Sequence, residues 1–364
     1  MARTPRFQCG NTGSIPVGAT LKIMPEKLGA APPAEQSKEL PKKEESLEKT
    51  WLESLKERFG HLFRREWREE KLPTVALDIF YSAHGEEKDL EGFEEKFKKA
   101  DIYIPEFFGW NETNLKEFRN IAEGKQQPKE FEYLSGFAER QYSILYNSHK
   151  PITFIDLPKD HQLVNQVLSH LNKDYLIHRE RTSDFQEFLG RVKDWHKRWA
   201  ELQRQRENYM LSQLEPSLKQ LLKKRPELRQ KEKLKVLMSL GSLHTGLYHQ
   251  LLKQGRAAAR TFSRSPYIYS NASELTRRYF FHKDVDDLLA ARAWLEEVLE
   301  QEISPIDNVN TEEAWEFLSS VAEEFSLAEI KELFTLGQDK VWPWLQRKLK
   351  EKGIEIESSE QSKQ

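Results

Sequence analysis

The chain has 364 residues, enough for one large domain or two ordinary ones, and sets 57 basic against 59 acidic residues for a net charge of −2. Balanced charge excludes a general attraction to nucleic acid, and a single cysteine, Cys9, excludes an intrachain disulfide or a cysteine-rich zinc site. Mean hydropathy is −0.76, yet 20 Phe and 9 Trp supply core material, and no apolar run reaches the about 18 residues a membrane span needs.

Residues 1–45 mix Gly, Pro, Ser, Lys and Glu without periodicity and read as a flexible tail. No uninterrupted apolar stretch of signal-peptide type stands there, so a soluble, cytoplasmic protein is the expectation. Across 46–72, Leu47, Trp51, Leu55, Phe59 and Phe63 recur at helical spacing. An α/β core is expected over 73–265. Residues 75–81 form the first strand candidate, ending just before His84. The stretch 86–99 follows with Leu90, Phe93 and Phe97 on one helical face, and 101–108 is the second strand candidate. Strand, helix, strand is the signature of a parallel unit.

Helices are expected at 112–123 and 128–146, then a third short strand at 151–158, bracketed by Pro151 and Pro158. A long helix is expected over 183–223, with Phe188, Val192, Trp195, Trp199 and Leu202 on one stripe and Pro216 as a break or kink. The basic cluster Lys223-Lys224-Arg225 near its end reads as a solvated helix face. A strand at 235–240 leads through Gly241 to His244 and a helix opening near Thr245, and 260–262 is a further short strand. Residues 266–352 read as a helical extension, with a capping box at Ser326 and Glu329, and 353–364 as a second tail.

Four residues stand out chemically. His244 sits at the tip of a buried strand, where open α/β sheets bind ligands, and Gly241 permits a tight strand-to-helix turn. A neutral imidazole there can ligate a metal or take a proton from water, although a histidine closing a turn is the plainer reading. His84 occupies the matching place after the first strand, with a surface turn as its plainer reading. Glu106 is a carboxylate inside an apolar strand, so it needs a strand-tip position, a cation or a metal. Continuing the stripe Trp195, Trp199, Leu202 by four residues lands on Arg206, whose guanidinium then faces the core and needs a carboxylate such as Glu106 or Asp156. Asp156 itself reads first as a turn cap. Arg204 and His249 fall off these faces. Phosphate-binding Gly-rich loops, Gly-x-Ser-x-Gly elbows and His-Glu-x-x-His helices are not found.

The order of these pieces, His84, then Ile104-Pro105-Glu106, Phe154-Ile155-Asp156, Arg206 on a helix, and Gly241-Ser242-Leu243-His244, resembles the superfamily that joins TraB and PrgY pheromone-shutdown proteins, TIKI proteases, ChaN-like proteins and erythromycin esterases. The resemblance covers about 74–262, and Tyr81 stands where that superfamily usually has Gly. It implies an α/β (α+β) fold with a central mixed sheet flanked by helices. It further implies a hydrolase of peptide or ester bonds whose site is His84, Glu106, Arg206 and His244. His84, Glu106 and His244 would hold a divalent metal, where one is used. The implied ligand is a small-molecule or peptide substrate, with no nucleic acid and no membrane. A non-catalytic binding or regulatory protein on the same scaffold is the alternative, and a purely helical scaffold is a third.

Overall fold

The structure, a computed structural model, describes residues 73–82, 90–128, 136–172, 182–263, 269–303 and 311–354. The tail and helix expected over 1–72, the C-terminal tail from 355, and His84 lie outside the described residues. Described residues from 75 onward belong to one unit; Pro73 and Thr74 belong to a second, Ala19–Thr74, which is otherwise outside the description.

Four strands, β1 (Thr74–Ser82), β2 (Ile102–Pro105), β3 (Lys233–Gly241) and β4 (Ala258–Phe262), form one sheet in the order β2-β3-β1-β4. Both recorded pairings, β2 with β3 and β1 with β4, are parallel. The antiparallel component of a mixed sheet is thus not among these pairings. β3 lies inside the sheet, and its near-continuous apolar run Val236 to Leu240 is buried on both faces, as a central parallel strand requires.

The helices in chain order are α1 (Phe93–Lys99), α2 (Glu112–Ala122), α3 (Gly136–Leu145), α4 (Gln162–Leu171), α5 (Phe185–Lys224), α6 (Pro226–Arg229), α7 (Thr245–Lys253), α8 (Asn271–Phe280), α9 (Asp287–Ile303), α10 (Thr311–Glu323), α11 (Leu327–Thr335) and α12 (Gln338–Glu351). Alternation along the strands sorts them into layers. Leu77, Ile79, Ile104, Val236 and Met238 face one way and pack on Met210, Leu214 and Leu218 of α5 and Leu247 of α7. Phe80, Tyr103 and Leu237 face the other way, onto Phe93 and Phe97 of α1, Phe118 of α2 and Leu145 of α3. The result is helices on both faces of a parallel sheet, with a helical C-terminal region, as expected.

α5 is the spine. Its N-terminal half, through Phe188 and Val192, shares a core with Trp294 of α9 and Phe334 of α11. Its middle, through Trp199 and Leu202, packs on Val164 and Val167 of α4. Its C-terminal half lies on the sheet. Pro216 does not break it: the helix runs through all 40 residues. The proline is exposed, and buried Leu214, Leu218 and Leu221 anchor the turns on either side, offsetting the lost hydrogen bond. Burying each such leucine stabilises the fold by about 1.5–3 kcal/mol.

The third expected strand is corrected. Residues 151–158 run alongside β2 but form only isolated bridges, Tyr103 with Ile152 and Trp110 with Pro158. Tyr103 N–H donates to the Pro151 carbonyl at 3.0 Å and Thr153 N–H to the Tyr103 carbonyl at 3.3 Å. The two prolines that bracket the segment have no N–H with which to extend a ladder. At Ser326 and Glu329 the expected capping box opens α11.

Candidate functional site

Glu106 follows the last residue of β2, and its N–H still donates to the Ser239 carbonyl of β3 at 2.9 Å. His244 ends the single 3-10 turn that leaves β3. Neighbouring strands thus deliver both residues to the same C-terminal edge of the sheet. Arg206 reaches that edge from α5 and is 2% exposed, as the stripe on that helix predicts. Asp156 comes from the segment beside β2 and is 1% exposed.

Arg206 joins two carboxylates. Its Nε donates to Asp156 Oδ1 at 2.8 Å, and its Nη2 donates to both Asp156 Oδ2 and Glu106 Oε1, the latter at 2.7 Å. The guanidinium also lies 5.0 Å from the centroid of Phe108. Asp156 Oδ1 accepts in addition from the Leu157 N–H at 2.7 Å, which is the turn-cap role expected of it, now combined with an ion pair. Burial opposes the charge on Arg206, but Asp156 and Glu106 outweigh it and raise its pKa further.

His244 joins the same network. Its Nε2 is 3.2 Å from Glu106 Oε1, and the second Glu106 oxygen accepts from the Gly241 N–H. The other ring nitrogen, Nδ1, is 3.3 Å from Oε1 of Glu207, a contact whose angle departs from a straight hydrogen bond. Burial works against an imidazolium here, as does Arg206, but Glu106 and Glu207 prevail and hold the pKa up at about 9. The ring therefore carries its proton through neutral pH, rather than the neutral state that the sequence pattern invites. Glu207 is displaced upward by its own burial, partly offset by His244.

Glu207 is the residue that sequence reasoning missed. It is 0% exposed and sits beside Arg206 on α5, but on the sheet-facing stripe Gln203, Glu207, Met210, Leu214. Gly246 makes room for it: a Cβ there would meet the Phe280 ring at 2.2 Å and Glu207 Oε2 at 2.4 Å. Gly241, by contrast, has φ −61, which any residue adopts, and contributes through its N–H. Tyr81 donates its hydroxyl to the His244 carbonyl at 2.9 Å and packs its ring against Phe262 in a tilted pair with centroids 5.1 Å apart, tying the end of β1 to the histidine turn.

The structure brings together Glu106, Arg206 and His244, with Asp156 and Glu207. Arg204 instead meets His282 Nε2 at 2.6 Å near the surface, and His249 is exposed. Of the expected metal set, Glu106 and His244 are described and His84 is not. Both Glu106 oxygens accept hydrogen bonds and both His244 nitrogens face carboxylates, so these donors are turned on one another rather than on a shared centre. Among the described residues no group of three or more His, Cys, Asp or Glu is placed to hold a metal ion. No described helix is long and apolar enough to cross a membrane. Comparisons of the chain with protein-family models, with curated proteins and with solved structures find no match.

Proposed function

We propose that the chain hydrolyses a peptide or ester bond, with Glu106 and His244 as its acid–base pair, in the manner of the TraB, TIKI and erythromycin esterase superfamily that its motifs resemble. The observation that carries this reading is the meeting of Glu106 and His244 at 3.2 Å across 138 positions of chain. In the proposed reaction Glu106 accepts a proton from the attacking water, which adds to the acyl carbon. His244, already protonated, passes its Nε2 proton to the departing amine or alcohol as the acyl bond breaks. Arg206, engaged by Glu106 and Asp156, is a positioning residue for the base, and Glu207 steadies the Nδ1 side of the ring. The substrate is a peptide or small molecule, and the balanced charge supports a ligand other than nucleic acid.

A second reading, a non-catalytic binding or regulatory protein on the same scaffold, draws support from burial. The Glu106, Arg206 and His244 side chains are only 2–3% exposed, and their charges already pair with one another. The test is hydrolysis of a panel of esters and peptides by the purified chain and by His244→Ala, with metal content measured on the same preparation. Turnover lost in the variant supports the hydrolase. Turnover equal in both overturns the role of His244, and a folded chain inert on every substrate favours the binding protein. A divalent ion that copurifies, and whose removal abolishes turnover, would shift the proposal to metal-assisted hydrolysis.

A further inference from the structure

At the opposite end of the sheet from Glu106, where β2 begins, lies a cavity of about 160 Å³ walled by Arg119, His149, Lys150, Lys224 and Arg225, with Glu123 as its one acidic wall residue. The cations come from three places: the last turn of α2, the turn after α3, and the end of α5. The sequence reads Lys223-Lys224-Arg225 as a solvated face, and Lys223 and Lys224 are exposed; Lys224 and Arg225 also line the cavity with Arg119 and Lys150.

These charges are only partly compensated. Lys150 donates to the Ala100 carbonyl. Lys224 makes no hydrogen bond or ion pair with a described residue. Arg119 spends one of its five donors, on the Ile152 carbonyl at 3.4 Å. Glu123 pairs with Lys125 at 2.5 Å and is also drawn by Arg225 and His149. Glu227 stands 3.8 Å from Arg225. The ends of α2 and α5 together supply about one negative charge. Four fixed cations thus line a cavity whose one carboxylate, Glu123, is shared with Lys125. Lys150 is held below the ordinary lysine range by burial first, against the pull of Asp101, with Lys231 adding to the depression. Several cations and one carboxylate around one cavity favour an anion within it.

The backbone beside the cavity is also committed to an uncommon form. Asn147 and His149 hold φ of 54 and 52, left-handed values unusual outside glycine. Their N–H groups bind the C-terminal carbonyls of α2, Asn147 to Ile121 at 3.0 Å and His149 to Ala122 at 2.7 Å. This turn places His149 and Lys150 in the cavity wall with Arg119.

We propose that this cavity binds a phosphate-type oxyanion, either free inorganic phosphate or the phosphoryl end of a larger ligand. Its volume is below the range of about 300–1,000 Å³ for drug-sized ligands, which suits an ion or one phosphoryl group rather than a whole nucleotide. Fork-shaped Arg119 and Arg225 suit bidentate contact with such oxygens, and Lys150 and Lys224 add point charges. The inference is independent of the hydrolase reading, because none of the acid–base residues lines the cavity.

The test is calorimetric titration of the full chain with inorganic phosphate and with glycerol phosphate at constant ionic strength, using Lys224→Ala, Arg119→Gln and, as an outside control, Lys219→Ala. Saturable binding that weakens about tenfold in each cavity variant but not in the control supports the site. Tighter binding of the ester than of phosphate assigns a phosphoryl-bearing ligand, and the reverse assigns the free ion. Absence of saturable binding to either, or binding unchanged in folded Lys224→Ala, overturns the proposal. Lys224 has no described partner to lose, so that variant separates loss of binding from loss of fold.

Discussion

Glu207 lies 3.3 Å from Nδ1 of His244, so the imidazole is held between two buried carboxyl groups, with Glu106 on its Nε2 side. The ring is thus the second cation of a network whose first is Arg206. Glu106 and Asp156 balance the two, and burial favours the neutral form of Glu207. Each partner is needed to keep the others charged in the interior, which gives the site a measurable effect on stability.

Arg206→Met leaves Glu106 and Asp156 buried without their shared cation. The expected loss of unfolding free energy is about 3–5 kcal/mol at neutral pH, read by denaturant unfolding. Arg206→Lys keeps the charge but not the fork that grips both carboxylates, and should recover only part of that loss.

Gly246→Ala places a methyl group against Phe280 and Glu207. Overpacking predicts about 1–3 kcal/mol of destabilisation by the same measurement. Phe280→Leu in that background should restore part of it, because it removes the ring edge that the methyl would meet.

His244 also predicts how stability varies with pH. Its folded pKa of about 9 exceeds the ordinary 6.5, so its stabilisation is complete below about pH 6.5 and disappears as pH rises through about 9. The difference in unfolding free energy between the wild type and His244→Gln should therefore shrink by on the order of 3 kcal/mol between about pH 6 and about pH 9.5.

Glu300 on α9 gives a pH response outside the site. Burial raises its carboxyl from 4.5 to about 7, so the fold holds the neutral acid and is penalised as pH rises through that window. Glu300→Gln should leave stability unchanged below about pH 4.5 and raise it by about 1–3 kcal/mol above about pH 7, as seen in thermal unfolding across pH.

The parts of the site that rest on short-range pattern were legible in the sequence. Arg206 follows from the spacing of Trp195, Trp199 and Leu202, and Glu106 and His244 from their places at the ends of apolar runs. Glu207 was hidden because α5 buries more than one face: Leu202 belongs to the cluster against α4, while Met210 and Leu214 belong to the sheet. A single stripe cannot reveal both. Gly246 drew no notice because its need for space comes from Phe280 and Glu207, which reach it only through tertiary packing. The segment 151–158 has the composition of a strand, and its failure to make a ladder depends on where its prolines fall beside β2. The basic cavity was invisible because its walls lie far apart in sequence and meet only where α2 and α5 end together.

NMR titration of the His244 ring nitrogens, in the wild type and in Glu106→Gln, tests most directly whether Glu106, Arg206 and His244 form one charged unit. The expected result is an imidazolium that persists to about pH 9 in the wild type and titrates lower once Glu106 is neutral. A ring that titrates near the ordinary value of 6.5 in the wild type, unmoved by Glu106→Gln, would contradict it.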